Sequence, residues 1–269
     1  MRLRRGPGTP YRRWQSVRFL VVRDRQAIIA FLRAPYPIPL SLRERWSIVR
    51  QFVRTTNYVR AYHTQTELLT VADQILRRAG RPDLTVVECG ACKGGSTAKL
   101  SLVTRIAGGH LHVFDSFQGM PANDERDAHL DGRPVAFFAG AFRGRLGEVQ
   151  RNVERFGALE VCTFHKGWFA ETLPRFRRPV DVALLDVDLA SSTRTCVAAL
   201  YPQLRAGGVL FSQDGHLRGS VAVLGDDVLW KDLGVLPPSI VGLGRNKLIA
   251  VQRGTPTSSP PDRLAATQR

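Results

Sequence analysis

Between residues 84 and 252 the apolar positions fall into short runs, separated by stretches with helical spacing. LTVVEC (84–89), HLHVFDSF (110–117), LEVCTFHKG (159–167), VDVALLDVD (180–188) and VLFSQDG (209–215) read as strands. GGSTAKLSLVTRIAG (94–108), GRLGEVQRNVERFG (144–157), SSTRTCVAALYPQLRAGG (191–208) and a segment near 218–233 read as helices. FQGMPANDERDAHLDG (117–132) reads as a long polar loop. PSIVGLGRNKLIAVQR (238–253) reads as two β runs joined by a GLGRN turn, hence a hairpin. Strands alternating with helices predict an α/β fold: a doubly wound, mainly parallel, Rossmann-like sheet with an antiparallel hairpin at its C-terminal end.

The flanks follow other patterns. VRFLVVRDRQAIIAFLR (17–33) has apolar residues at helical spacing with arginines between them, which predicts a basic amphipathic helix. APYPIPL (34–40) breaks it, and residues 41–59 predict a second helix. Thr64 and Glu67 form a Thr-x-x-Glu capping box for a helix ending at Gly80. GTPTSSPPDRLAATQR (254–269) has the composition of a disordered tail. The expected division is a basic helical N-terminal extension (1–60), a cofactor-binding domain (61–253) and the tail.

Charge sharpens that division. Residues 1–60 hold fourteen arginines and only Asp24 and Glu44 as acids, which accounts for +12 of the net +16. A basic arm of this kind suits nucleic acid or an anionic membrane surface. The remainder carries only +4 and no basic stripe interleaved with aromatics, which disfavours a nucleic-acid-directed enzyme. A membrane-surface protein using the arm as its anchor stays open as an alternative. No apolar run reaches the roughly 18 residues of a membrane span. No apolar core directly follows the first arginines, so no secretory signal is expected and a cytoplasmic enzyme is. Cys89 and Cys92 form a single CxxC with no second pair, and Cys89 falls inside a strand pattern, so the cysteines read as structural.

In an open parallel sheet a ligand lies beyond the carboxyl ends of the strands. Four of the five predicted ends carry acid: Glu88, Asp115, Asp186 with Asp188, and Asp214; the fifth is Lys166 with Gly167. The first turn, ECGACKGGS, is glycine-rich but is not GxGxxG. Asp115 stands 27 residues beyond Glu88, where an acid can accept hydrogen bonds from both hydroxyls of a ribose. NAD and S-adenosylmethionine both present one. Glu88 favours the second, because a carboxylate repels a pyrophosphate but suits a sulfonium and an amino group.

ECGACKGGS, VFDSFQGMP, KGWFAETLP, LDVDLASST and the glycine-to-acid strand after it resemble the macrocin O-methyltransferase family, in the family's order and over roughly residues 61–252. The resemblance implies a class I methyltransferase fold, S-adenosylmethionine as donor, a divalent metal such as magnesium, and a small-molecule hydroxyl acceptor, often on a sugar of a natural product. Homo-oligomerisation stays open. By position, Glu88, Gly90, Gly94, Ser96, Asp115 and Ser116 would line the cofactor, with Gly167 and Trp168 by the adenine. Trp168 reads equally well as a core aromatic. His63 and Thr64 would close over the methionine end, although Thr64 also reads as a cap alone.

The resemblance further implies that Asp186, Gln213 and Asp214 bind the metal and that Asp186 is catalytic. At 213 the family usually has Asp, so the charge expected there is missing. His216, two residues beyond Asp214, is a candidate general base, with an unperturbed pKa near neutrality, or a plain loop residue. Asp188 reads as a cap or wall for the helix beginning at Ser191. The lysine base of the more distant catechol-type enzymes has no counterpart, because Leu189 stands in its place.

Overall fold

Five of the strands are parallel, and each is fed by a helix, so the chain winds a single sheet from its middle outward. The computed structural model describes residues 22–244 and 247–254. The six-stranded sheet has the order β5-β2-β1-β6-β7-β8. Its strands are β1 (Thr85–Cys89), β2 (His110–Asp115), β5 (Cys162–Lys166), β6 (Val180–Leu185), β7 (Leu204–Ser212) and β8 (Ile249–Gln252). β8 runs antiparallel to β7. The expected hairpin is reduced to one bridge, in which Val241 and Ala250 exchange backbone hydrogen bonds of 2.8 and 3.0 Å. Part of its GLGRN turn, like residues 17–21 and the predicted tail beyond Gly254, lies outside the described residues.

β1 and β6 are buried at every position, which is why they read as unbroken apolar runs. Successive side chains enter opposite cores. Val86, Leu111, Val113, Val182, Leu184 and Phe211 join one core cluster; Val87, Phe114, Ala183, Leu185 and Leu210 join the other. The first face is covered by α3 (Gln65–Leu76), α4 (Gly95–Ala107) and α5 (Leu146–Phe156). The second is covered by α6 (Phe169–Thr172), α7 (Ala190–Leu200), α8 (Arg218–Leu224) and α9 (Asp227–Asp232). The single helix expected near 218–233 is two, divided at Gly225.

The described part of the N-terminal extension is no loose appendage. α1 (Arg25–Arg33) and α2 (Leu42–Tyr58) place Ile28, Phe31, Ile48, Val49 and Phe52 in the same cluster as the sheet. Asp24 is buried and accepts hydrogen bonds from the Thr66 backbone N–H (3.0 Å) and hydroxyl (2.6 Å). Lys99 on α4 is also buried and donates to Thr56 Oγ1 of α2 at 2.7 Å. Most arginines of α1 and α2 are exposed, so the charge pattern described the surface and hid the packing; Arg45 is the exception, donating to the backbone carbonyls of Leu32, Ala34 and Leu40. Phe52→Ala should therefore cost about 3–5 kcal/mol in denaturant unfolding; a loss under about 0.5 kcal/mol would mean that the extension is detachable.

The expected Thr64–Glu67 capping box is formed, and α2 carries a second one. Ser41 and Glu44 form a reciprocal box at the start of α2, as Thr64 and Glu67 do at α3. The loop from 117 to 144 carries a feature absent from its polar composition: β3 (Arg126–Ala128) and β4 (Pro134–Ala136) pair as a short antiparallel ribbon.

Candidate active site

The carboxyl ends of β1, β2, β6 and β7 open onto one cavity of about 250 Å³. Of the sequence-predicted residues, Gly90, Asp115, Ser116, Gly167, Trp168, Asp186, Gln213, Asp214 and His216 line it. Asp188 lines it too. Glu88, Gly94 and Ser96 lie behind the surface: Glu88 and Ser96 are buried, and Gly94 packs against Val149.

The glycine turn is shaped by a close approach. Gly90 has φ +93°, and a Cβ there would sit 2.0 Å from the carbonyl oxygen of Asp186. Only glycine allows the turn after β1 to lie against the end of β6. Cross-strand bonds fix the contact: Gly90 N–H donates to Phe114 O, and Asp186 N–H to Cys89 O, both at 2.9 Å. At the neighbouring strand end, Asp115 accepts three backbone N–H groups, from Ala91 (2.7 Å), Cys92 (3.3 Å) and Phe117 (2.6 Å). Burial raises its pKa while these donors lower it, and the net shift is upward. A carboxylate offers about four lone-pair sites, so acceptor capacity remains for a ligand.

Glu88 has neither carboxylate oxygen hydrogen-bonded in good geometry, despite full burial. Burial pushes its pKa up to about 7, against a partial lowering by the nearby Ser96 and Thr97 hydroxyls. His63 reaches in from the segment before α3, with Nε2 3.1 Å from Asp186 Oδ2. Burial alone would lower its pKa, but Asp186 outweighs that and the net shift is upward. Its side chain is buried and turned onto Asp186, and it is not among the cavity-lining residues. Thr64 is engaged as the α3 cap.

Asp188 is not a helix cap. That role belongs to Glu125, whose carboxylate accepts the backbone N–H of Ala190 (2.9 Å) and Ser191 (3.4 Å) and the Ser191 hydroxyl. Asp188 instead turns back, with φ +58°, and joins Asp186 and Asp214. Carboxylate oxygens of the three lie within 4.8 Å of one another. Asp214 is anchored by the backbone N–H groups of Val187 (3.1 Å) and Asp188 (2.9 Å). Burial and mutual repulsion push Asp188 up to about 8 and Asp214 up to about 7. Three clustered carboxylates offer the hard oxygen donors that a cation such as magnesium takes. Gln213, beside them, is buried with both amide atoms unpartnered.

His216 departs from the expected near-neutral pKa. Burial, then the positive charges of Lys247 and His129, push it down to about 4. It is neutral at physiological pH and a weaker base than the sequence suggests. Its ring lies 5.2 Å from that of His129. His129 belongs to the 117–144 loop, which is pinned over the site at several points. Leu130 N–H donates to His216 O at 2.9 Å, and Asp127 accepts the Gly219 N–H at the start of α8. Sequence reasoning missed Glu125 and Asp127 because their partners lie 65 and 92 residues away. All four cysteines are free thiols; Cys89 and Cys196 are buried, and Cys92 lines the cavity.

Known proteins share this chain's sequence pattern and fold. The macrocin-O-methyltransferase (TylF) family model matches residues 66–227. The demethyldecarbamoylnovobiocin O-methyltransferase of Streptomyces niveus is 32% identical over 138 residues, 48% of this chain and 52% of that protein. The chain thus spans about half the length of that relative. The solved O-methyltransferase NovP superposes with TM-score 0.57 at 26% identity, covering 70% of this chain and 79% of the other. The calicheamicin methyltransferase CalS11 shares the fold, with TM-score 0.57 at 16% identity over 91% of this chain and 93% of the other. A family match across 60% of the chain, on the strand ends and glycine turn described above, means that this protein belongs to the macrocin-O-methyltransferase family.

Proposed function

We propose that the protein transfers a methyl group from S-adenosylmethionine to a hydroxyl of a small molecule, a sugar or a natural-product scaffold, with a divalent cation assisting. The observation that carries this reading is the convergence, in one cavity, of the glycine turn with Asp115 and of the three carboxylates Asp186, Asp188 and Asp214. In the reaction the donor's C–S bond breaks with its electron pair left on sulfur. The methyl carbon bonds to the acceptor oxygen, and the hydroxyl proton leaves to a base.

The residues fit the donor. Glu88, buried and unpartnered, suits a cationic amino group or sulfonium. Asp115 keeps lone pairs for ribose hydroxyls, and Trp168 offers an aromatic face for a base. Ser116 serves its own loop, accepting the Gln118 N–H and donating to Gly119 O, both at 3.1 Å. The residues also fit a cation: Asp186, Asp188 and Asp214 would hold it, with Gln213 adding a neutral oxygen. A cation in that position supplies Lewis acidity, which lowers the pKa of an acceptor hydroxyl. His216 stays neutral and so remains free to accept the departing proton.

The test is calorimetric. Asp115→Ala should weaken S-adenosylmethionine binding by about 1–3 kcal/mol, the loss expected from removing a charged acceptor from buried hydroxyls. Unchanged affinity would overturn the assignment of this strand end to the donor.

A further inference from the structure

α1 and α2 each bury one side and leave the other to solvent. The buried side of α1 carries Ile28 and Phe31; that of α2 carries Ile48, Val49 and Phe52. All five enter one core cluster, so both outer sides face away from it. At about 100° per residue, the outer side of α1 is the line Arg25, Ile29, Arg33. On α2 it begins at Leu42 and Arg43 and continues through Trp46, Arg50 and Arg54.

This surface is apolar between its charges. Ile29, Leu42 and Trp46 are 46%, 66% and 41% exposed. Its charge also has one sign. The guanidinium groups of Arg25, Arg33, Arg43 and Arg50 have no ion-pair or hydrogen-bond partner among the described residues, and Arg54 lies over the Phe156 ring. Glu44 is the only acid on the two helices, and it is held in the capping box, accepting the Ser41 N–H at 2.8 Å and hydroxyl at 2.6 Å. In sequence, the 21 residues before Val22 add six arginines and no acid.

From the unpaired arginines and the apolar side chains set among them, we infer that the outer face of α1 and α2 docks on an anionic lipid bilayer. Arginine reaches lipid phosphates, while Trp46, Leu42 and Ile29 suit the boundary between headgroups and acyl chains. A nucleic acid would answer the charge but offer the two aliphatic side chains no apolar cover. A second copy of this face would set arginines against arginines. The docking is peripheral: no helix among the described residues is long and apolar enough to cross a membrane.

The experiment is co-sedimentation of the full chain with vesicles of phosphatidylcholine alone, or of phosphatidylcholine and phosphatidylglycerol in equal parts. Partitioning onto the anionic vesicles should exceed that onto the neutral ones by about 30-fold, and should fall about tenfold when salt rises from about 0.1 M to about 0.5 M. Arg43→Glu combined with Arg50→Glu should weaken it by about tenfold or more. Trp46→Ala should weaken it by about fivefold and serves if the charge variant fails to fold. All three positions are exposed, so thermal unfolding of both variants should match wild type. Equal partitioning onto both kinds of vesicle, or anionic binding that survives both variants, overturns the inference. So does tighter binding to single-stranded RNA with Trp46→Ala leaving vesicle binding unchanged. A dimer in light scattering that Trp46→Ala dissolves, with no vesicle binding, would assign the face to a second copy instead.

Discussion

Asp214→Asn is expected to lower methyl transfer by about 10³-fold while leaving S-adenosylmethionine affinity within about a factor of two. The substitution keeps an oxygen for the Val187 and Asp188 N–H groups that Asp214 now accepts, so the loop after β6 stays in place. What it removes is one of three clustered carboxylates. A magnesium site left with two acids and neutral amide oxygens carries less charge and should hold the ion more weakly. Chelator should reduce the wild-type enzyme to the same level, and manganese binding followed by electron paramagnetic resonance should vanish in the variant. Full activity in chelator, with manganese affinity unaltered in Asp214→Asn, would mean that the acids only shape the strand ends.

The second large effect concerns Glu88. Its pKa rises from 4.5 to about 7 on folding, chiefly through burial. Between those values the folded protein holds a proton that the unfolded chain has released. Stability is therefore full below pH 4.5, falls as pH rises through about 7, and is lower by about 3 kcal/mol above that. Glu88→Gln removes this contribution. Without ligand, the variant should unfold at a higher temperature than wild type at pH 8 and at nearly the same temperature at pH 4. The slope due to Asp188 and Asp214 should persist. Loss of the charge should weaken S-adenosylmethionine binding by about 1.5–3 kcal/mol. Equal pH slopes for both proteins, in thermal unfolding from pH 4 to 8, would show that Glu88 is stably paired.

The sheet was legible in the sequence because strands buried on both faces leave unbroken apolar runs, and because acids at their ends stand out against them. Glu88, Asp115, Asp186 and Asp214 could be found that way. The Thr64–Glu67 box was legible because its partners are three residues apart. Of the cap and wall readings of Asp188 only the cap fails, because a left-handed backbone turns Asp188 to the cavity and the capping acid, Glu125, comes from the 117–144 loop. Asp181 likewise gave no signal: it lies inside β6, where Arg81 (2.8 Å) and Arg205 (3.5 Å) reach it from other elements. The burial of α1 and α2 was hidden by their arginines, since one apolar stripe suffices to join a core. The aromatic part of the cavity wall escaped notice because Tyr62, Phe137 and Phe142 meet only once two distant segments fold together.

The most direct test of the account is a crystal structure grown with S-adenosylhomocysteine and manganese. Density for the adenosine between Asp115 and Trp168, the amino-acid end by Glu88, and an anomalous peak among Asp186, Asp188 and Asp214 is the predicted result. S-adenosylhomocysteine bound elsewhere, or no manganese within reach of those three carboxylates, would contradict it.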